Sequence, residues 1–440
     1  MESYFLPLIF LYPELHYRFK YFPFSAYYVK EPEILIDLPY KSSSGEFPVF
    51  MIVKDAHLFP VRIWSVKFHF VFEDGSAFVK SFVINEKINK MMYYKQFDFS
   101  FPEKKGFTGV SALFNIYVKG SLKKIVNDNM TGIDPELEIY LDDNEELFEN
   151  HIQGDLHYHS EFTSDQVEFG APVRATKKCA ETLKLDFFAL TDHSYDLDDM
   201  EGDYLKNDPE LNKFNRMRSS ADEYSDDRTT ILDGQEVTVR NSKERNVHIL
   251  VYNQEYFGGS GDSAEKWFST KSENSIFDIT HKMTDDSLVV AAHPFNKIPL
   301  LEYLFVKRGR WNKEDIIRNS VSHLQILNGD FDDDFFNNLS VWTKLLLSGE
   351  RIFIIAGNDA HGNFNLFRQI RFPMLKLICR YKQIFGKCRT VVLCSSAKKQ
   401  DIIKTVKEGK CYITNGPHED NTRSDFMHSC NCFTERATNA

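Results

Sequence analysis

The chain has 440 residues, of which 42% are hydrophobic and 27% charged, with a formal net charge of −11. At roughly 100–200 residues per domain this length suggests two or three domains and a large buried core. The acidic balance, with Lys and Arg scattered rather than striped, argues against a nucleic-acid binder, and no apolar run approaches the ~20 residues that span a bilayer.

The 39 Phe and 20 Tyr read as core packing. The seven cysteines are odd in number and show no disulfide framework. A reducing, cytoplasmic compartment is the simplest expectation. The first residues carry a short apolar stretch broken by Pro7 and Pro13, without a basic start, which reads poorly as a secretory signal.

Residues 1–145 read as β structure. Val49–Val53, Arg62–Phe72, Ser76–Ile84 and Gly109–Val118 alternate or run apolar with Val, Ile and Phe. Asp74-Gly75 between two of these runs signals a hairpin, because this pair tolerates the positive φ of a tight turn. Several such strands predict a sandwich-like domain. His16, His57 and His69 are isolated here and read as ordinary histidines. Asp134–Asn150 is acidic and reads as a solvated connection.

From residue 150 to 417 the pattern becomes strand and helix in alternation. Ala171–Leu183 has helical spacing, and Asp186–Leu190 reads as a strand. Further strands are expected at Ile231–Val239, Val247–Val251, Leu288–Ala292, His323–Leu327 and Arg351–Ala356, with a helix at Ser275–Met283. Nearly continuous apolar strands between helices predict an α/β domain with a parallel sheet or barrel. Tyr195–Arg228 and Asn253–Asn274 interrupt it and read as insertions. Residues 418–440, with Cys430-Asn-Cys432, read as a loosely attached tail.

The chemistry lies in an ordered set within this second domain: Asp155-Leu-His157-Tyr-His159, Asp165, Asp192-His193, Glu236, His248, His293-Pro294 and Asn358-Asp359-Ala-His361. Each alone has an ordinary reading. Asp192 could cap a turn, Glu236 could pair with Arg240, and His293 could be satisfied by backbone. Together they fall at or beside strand ends, and six of the fourteen histidines are among them. His157 and His159 share one face of an extended segment and can grip one ion. Imidazole with carboxylate suits zinc, manganese or iron, and a carboxylate among several histidines points to more than one metal.

Asp155-Leu-His-Tyr-His-Ser160, Leu190-Thr-Asp-His193, Glu236, His248, Ala292-His-Pro294 and Gly357-Asn-Asp-Ala-His361 resemble the polymerase and histidinol phosphatase (PHP) family. Glu408-Gly-Lys-Cys-Tyr-Ile-Thr-Asn-Gly-Pro417 resembles its stand-alone members of the carbaryl-hydrolase type. The resemblance implies a distorted (β/α)7 barrel after the N-terminal all-β domain, and up to three divalent ions (zinc, manganese or iron). His157, His159, Glu236 and Asp359 would hold one ion. Glu236, His248 and His293 would hold a second, and Asp165, His193 and His361 a third. Glu236, Asp359 and His293 would be the central catalytic ligands, with a hydroxide between metals as the nucleophile. Asp155 and Asp192 would orient imidazoles by accepting their outer N–H groups. Arg240 and Arg389 are candidate phosphate binders, since a guanidinium fork fits phosphate oxygens. The expected function is a metal-dependent hydrolase of a small phosphorylated substrate. A carbamate, ester or amide hydrolase on the same site is the alternative, and a degenerate scaffold protein the third reading.

Overall fold

A computed structural model of the chain describes residues 30–129, 137–142, 150–163, 170–201, 203–259, 270–365 and 383–416. Asp165, most of the acidic connection and the 418–440 tail lie outside the described residues. The chain forms two compact units, residues 1–145 with 363–381 and residues 146–362 with 382–440.

The first unit is all β. Strands β1 (Glu33–Asp37), β3 (Glu46–Lys54) and β6 (Met92–Ser100) make an antiparallel sheet in the order β1-β3-β6. A second sheet runs in the order β2-β9-β7-β4-β5, from β2 (Lys41–Ser42), β9 (Leu137–Leu141), β7 (Gly106–Val118), β4 (Val61–Phe72) and β5 (Ala77–Ile88). β8 (Ser121–Val126) also pairs with β7. Val66, Phe68, Phe70 and Phe72 alternate inward along β4 while Lys67 and His69 face out, as one buried face requires. Rings from both sheets meet in the core, with Phe70 and Phe99 centroids 4.6 Å apart. The β4–β5 hairpin turns at Asp74-Gly75, where Gly75 has φ +81°. After Gly362 the chain returns to this unit: the Phe364 backbone N–H donates to Asp37 (3.0 Å), and Asn365 donates to the Glu138 carbonyl (2.7 Å). The sequence reading, with one continuous second domain, does not anticipate this return.

The second unit is built on nine strands: β10 (Ile152–Asp155), β12 (Phe187–Leu190), β15 (Thr230–Arg240), β16 (Asn246–Tyr252), β17 (Leu288–Ala291), β18 (His323–Asn328), β19 (Phe353–Gly357), β21 (Cys388–Val392) and β22 (Cys411–Asn415). Their order is β19-β18-β17-β16-β15-β12-β10-β21-β22. Short pairs form between β11 (Tyr158–His159) and β20 (Ala360–His361), and between β13 (Asp199–Met200) and β14 (Asp203–Asn207).

This corrects the (β/α)7 barrel expected from the resemblance. The sheet is mixed. β10–β12, β12–β15, β17–β18 and β18–β19 are parallel, whereas β15–β16, β16–β17, β10–β21 and β21–β22 are antiparallel. β15 and β16 are joined only by the turn Asn241–Arg245, too short for the dozen or more residues that a parallel crossover needs. The apolar runs misled because a strand buried on both faces reads the same in either direction. β15 is buried along nearly its whole length and β16 throughout. The sheet curls until Thr390 on β21 bridges to β19, its hydroxyl donating to the Ala356 carbonyl and accepting from the Ala356 N–H, both at 2.9 Å. Among the described residues no helix is long and apolar enough to cross a membrane.

Gly154 shows how closely β10 and β12 approach. A Cβ there would lie 2.2 Å from the Phe187 carbonyl oxygen and 2.4 Å from Phe187 Cδ2. Gly154→Ala is therefore expected to destabilise the chain by about 1–3 kcal/mol, measured by chemical denaturation. An unchanged midpoint would show that this contact yields freely.

Candidate metal centre

Local structure brings the charged residues together. The His157–His159 segment leaves β10, and His159 pairs with His361 across β11–β20. His193 follows β12 and bridges to Glu236. Glu236 on β15 and His248 on β16 are diagonal neighbours, since His248 lies opposite Thr238. His293 follows β17, and Asp359 follows β19. His293 (φ +29°) and Asp359 (φ +52°) sit in the left-handed region, where a non-glycine residue is strained and held by its surroundings. The backbone N–H of Asp359 donates to the His157 carbonyl at 2.7 Å, which ties the β19 exit to the β10 exit. Gly357 permits that approach, because a Cβ there would lie 2.4 Å from Cβ of His157.

Three overlapping groups of donor atoms result: His157, His159, Glu236 and Asp359; Glu236, His248 and His293; and His159, His193 and His361. In the first, His157 Nε2 and His159 Nε2 are 3.2 Å apart. Asp359 Oδ1 lies 3.4 and 3.2 Å from them, and Glu236 Oε2 lies 3.5 and 3.4 Å from them. Four ligands about 2.0–2.1 Å from a tetrahedral ion would be about 3.3 Å from one another, so these five separations match the edges of such a site. In the second group Glu236 Oε1 is 2.6 Å from His248 Nδ1 and 3.2 Å from His293 Nε2. Glu236 thus presents one oxygen to each of these two groups, which is what a bridging carboxylate does. In the third, the His159 and His361 rings stack at 4.0 Å, and His193 Nδ1 is 3.1 Å from Glu236 Oε2. These residues fit a divalent ion by donor type and spacing.

The electrostatics point the same way. Burial opposes charge on His157, yet Asp359 and Glu236 push its pKa up to about 9. His159 rises to about 9 as well, again against burial, through its bonds to Asp359 and Glu236. Burial would raise Glu236 and Asp359, but the imidazoles hold both well below the carboxylate range. Burial and the neighbouring His159 push His193 down to about 3. Without a metal, the site neutralises its carboxylates by holding protons on His157 and His159.

Two expectations about supporting residues are corrected. Asp155 does not orient an imidazole. Its Oδ1 accepts the N–H groups of His157 and Asn358 (3.1 Å each), and its Oδ2 accepts Asn358 Nδ2 (2.7 Å) and the Gly386 N–H (3.0 Å). Asp192 likewise accepts the N–H groups of Ser160 and Thr163 and the Ser160 hydroxyl. Both carboxylates hold backbone, because the ligand-bearing segments have left the sheet ladder and their amides need acceptors. The outer nitrogens of His157 and His159 meet neutral groups instead: Gln325 Oε1 for His157 (2.8 Å) and Thr163 Oγ1 for His159 (3.2 Å).

The two arginines proposed from sequence are also placed elsewhere. Arg389 is fully buried, and its guanidinium donates to the Gly386 and Leu183 carbonyls at 2.9 and 3.1 Å. Arg240 pairs with Glu244 across the β15–β16 turn at 3.2 Å. Among the described residues, Arg308 is a cation at the cluster, which sequence reasoning missed. Its Nη1 is 2.5 Å from His248 Nε2 and its Nη2 is 3.1 Å from His248 Nδ1. The backbone around it pairs with Asn246 at the start of β16: Asn246 N–H donates to Lys307, and Gly309 N–H donates to Asn246. Arg308 therefore runs beside His248. The available signal was Lys307-Arg308-Gly-Arg310, a basic run in an acidic chain shortly after His293.

No known family profile and no curated protein matches the sequence. Among solved structures the chain is similar to a cycloisomaltooligosaccharide glucanotransferase from Paenibacillus sp., with 13% identity and a TM-score of 0.16, over 36% of this chain and 19% of that one. It is also similar to a β-glucuronidase from Bacteroides uniformis, with 10% identity and a TM-score of 0.21, over 73% of this chain and 39% of that one. The chain thus spans well under two thirds of either protein, and likeness at these scores carries no argument about fold or activity.

The raised histidines set a pH dependence. Their stabilising charge in the metal-free chain is fully present below the ordinary value of 6.5 and is lost as pH rises through about 9. A divalent ion must displace those protons, so affinity is expected to rise with pH across this window, with proton release on binding. Calorimetry in buffers of different ionisation enthalpy measures both. Uptake without proton release, or affinity flat from pH 6.5 to 9, would contradict the charge balance described.

Proposed function

We propose that the chain is a metal-dependent hydrolase of phosphoric esters, the activity of the PHP family whose motifs it resembles. The observation that supports this most is the four-atom cluster of His157, His159, Glu236 and Asp359, five of whose separations match the edges of a tetrahedral site. His157, His159, Glu236 and Asp359 would hold one ion. Glu236, His248 and His293 would hold a second, and His193 and His361 a third together with His159. Bound divalent ions supply Lewis acidity and lower the pKa of water, which a phosphoester needs because water is a weak nucleophile and the phosphoryl oxygens repel it.

The chain's own residues do the rest. The walls bury the donors, so little solvent competes for them: His157, His159 and Glu236 are at most 1% exposed. Half-buried Arg308 packs its guanidinium against His248 and places a fixed positive charge at that edge of the cluster. A negatively charged phosphoryl group is favoured beside that fixed cation, whereas a neutral carbamate or carboxylic ester gains far less. Trp311 fixes this wall by donating its indole N–H to the His248 carbonyl at 3.1 Å. Arg308 is thus the feature that favours phosphate over carbamate, ester or amide.

Purified chain loaded with manganese or zinc should hydrolyse aryl phosphate mono- or diesters. Arg308→Ala should lower that rate by about 10²–10³. His157→Ala and Asp359→Ala should abolish it with little change in the circular dichroism spectrum. Cleavage of aryl carbamates or carboxylic esters with no phosphoester turnover would overturn the substrate class. A chain that takes up no divalent ion would overturn the hydrolase reading altogether and favour a scaffold.

A further inference from the structure

We propose that Gln325 and Asn328 form a positioning relay through which one metal ligand, Asp359, sets the tautomer of another, His157. The idea rests on the metal-centre reading above and concerns residues that reading does not use. His157 Nδ1 is 2.8 Å from Gln325 Oε1. Gln325 Nε2 donates to Asn328 Oδ1 at 3.0 Å, and Asn328 Nδ2 donates to Asp359 Oδ2 at 3.2 Å. Gln325 is fully buried, so no solvent completes this chain at its position.

The direction of every bond follows from one end. An ionised carboxylate only accepts, so Asn328 must turn its NH2 toward Asp359. Its carbonyl oxygen then faces Gln325 and requires a donor, which is the Gln325 NH2. The Gln325 oxygen is left facing His157, and an amide oxygen can only accept. Nδ1 of His157 therefore stays protonated, and the proton that a bound ion displaces is the one on Nε2, the nitrogen that points at His159, Glu236 and Asp359. Asn328, together with Gln383 Nε2 at 3.3 Å, also occupies Oδ2 of Asp359 and leaves Oδ1 toward the histidines. Both ends of the relay are thus turned inward on the same donor group.

The strand is shaped for this. Residues three apart on a regular strand point to opposite faces. The pairing of β18 with β19 shifts register between Gln325 and Leu327. Such a bulge inserts one residue and restores Gln325 and Asn328 to one side.

The test is the metal affinity of Gln325→Leu, Asn328→Leu and the double variant, by competition with a chromophoric chelator. Alongside it come the absorption bands of the cobalt(II)-loaded proteins and the melting midpoint of the metal-free proteins. Each single variant should bind about 10–100-fold more weakly than the parent. The double variant should lose little beyond the weaker single, because a broken chain cannot be broken twice. The cobalt bands should shift as the tetrahedral donor set loosens. Gln325→Glu, which keeps an acceptor opposite Nδ1, should bind more tightly than Gln325→Leu. If Gln325→Leu does not fold, Gln325→Glu and Asn328→Ala carry the comparison. Unchanged affinity and bands with only a lower melting midpoint would reduce these residues to packing and overturn the relay. Losses that simply add in the double variant would overturn it too. A parent chain that binds no ion would instead fail the metal reading itself.

Discussion

Two carboxylates, one buried and one largely shielded, govern the second unit. Glu236 and Asp359 lie among six imidazoles, and a carboxylate taken out of water costs several kcal/mol unless opposite charge is supplied at close range. Here it is supplied by protons held on His157 and His159, or by cations that replace those protons. Strand ends, strained backbone at His293 and Asp359, and the close approach at Gly357 all serve to keep that charge compensation in place.

The layer behind the ligands divides its work by charge. Asp155 and Asp192 gather backbone amides from segments that have left the sheet, and so fix where the ligand residues emerge. Neutral groups, Gln325 and Thr163, meet the outer ring nitrogens of His157 and His159. Carboxylates in that second position would add further negative charge to a site already carrying two. Neutral acceptors orient the rings without that addition. Arg308 balances the other side, at the His248 edge.

Much of the donor set was legible because its spacing is local. His157-Tyr-His159 shares a face by strand geometry, and His193, His293 and Asp359 each close an apolar run. The sheet was not legible in the same way. Near-continuous apolar strands such as Asn246–Tyr252 carry no record of direction, and the brief Asn241–Arg245 connection was the one sign that β15 and β16 turn back on each other. Arg389 was misread because a guanidinium looks alike in sequence whether it meets phosphate or, as here, two buried carbonyls. Gln325 was passed over because a polar residue in an apolar strand has no periodic signature.

The sequence by itself determined which donors exist and that His193, His293 and Asp359 follow buried strands, because side-chain chemistry and strand period are local properties; that Glu236 and His248 lie within β15 and β16 came from the fold. It also determined the hairpin at Asp74-Gly75, where only a residue at ease with positive φ fits. Tertiary structure alone decided the mixed order of the nine strands, the return of Phe364 to the first unit, and the meeting of Arg308 with His248 and of Gln325 with His157. Those pairings join residues dozens to hundreds of positions apart. Their geometry is set by which strands bond to which, a choice made by long-range packing and not by any one segment.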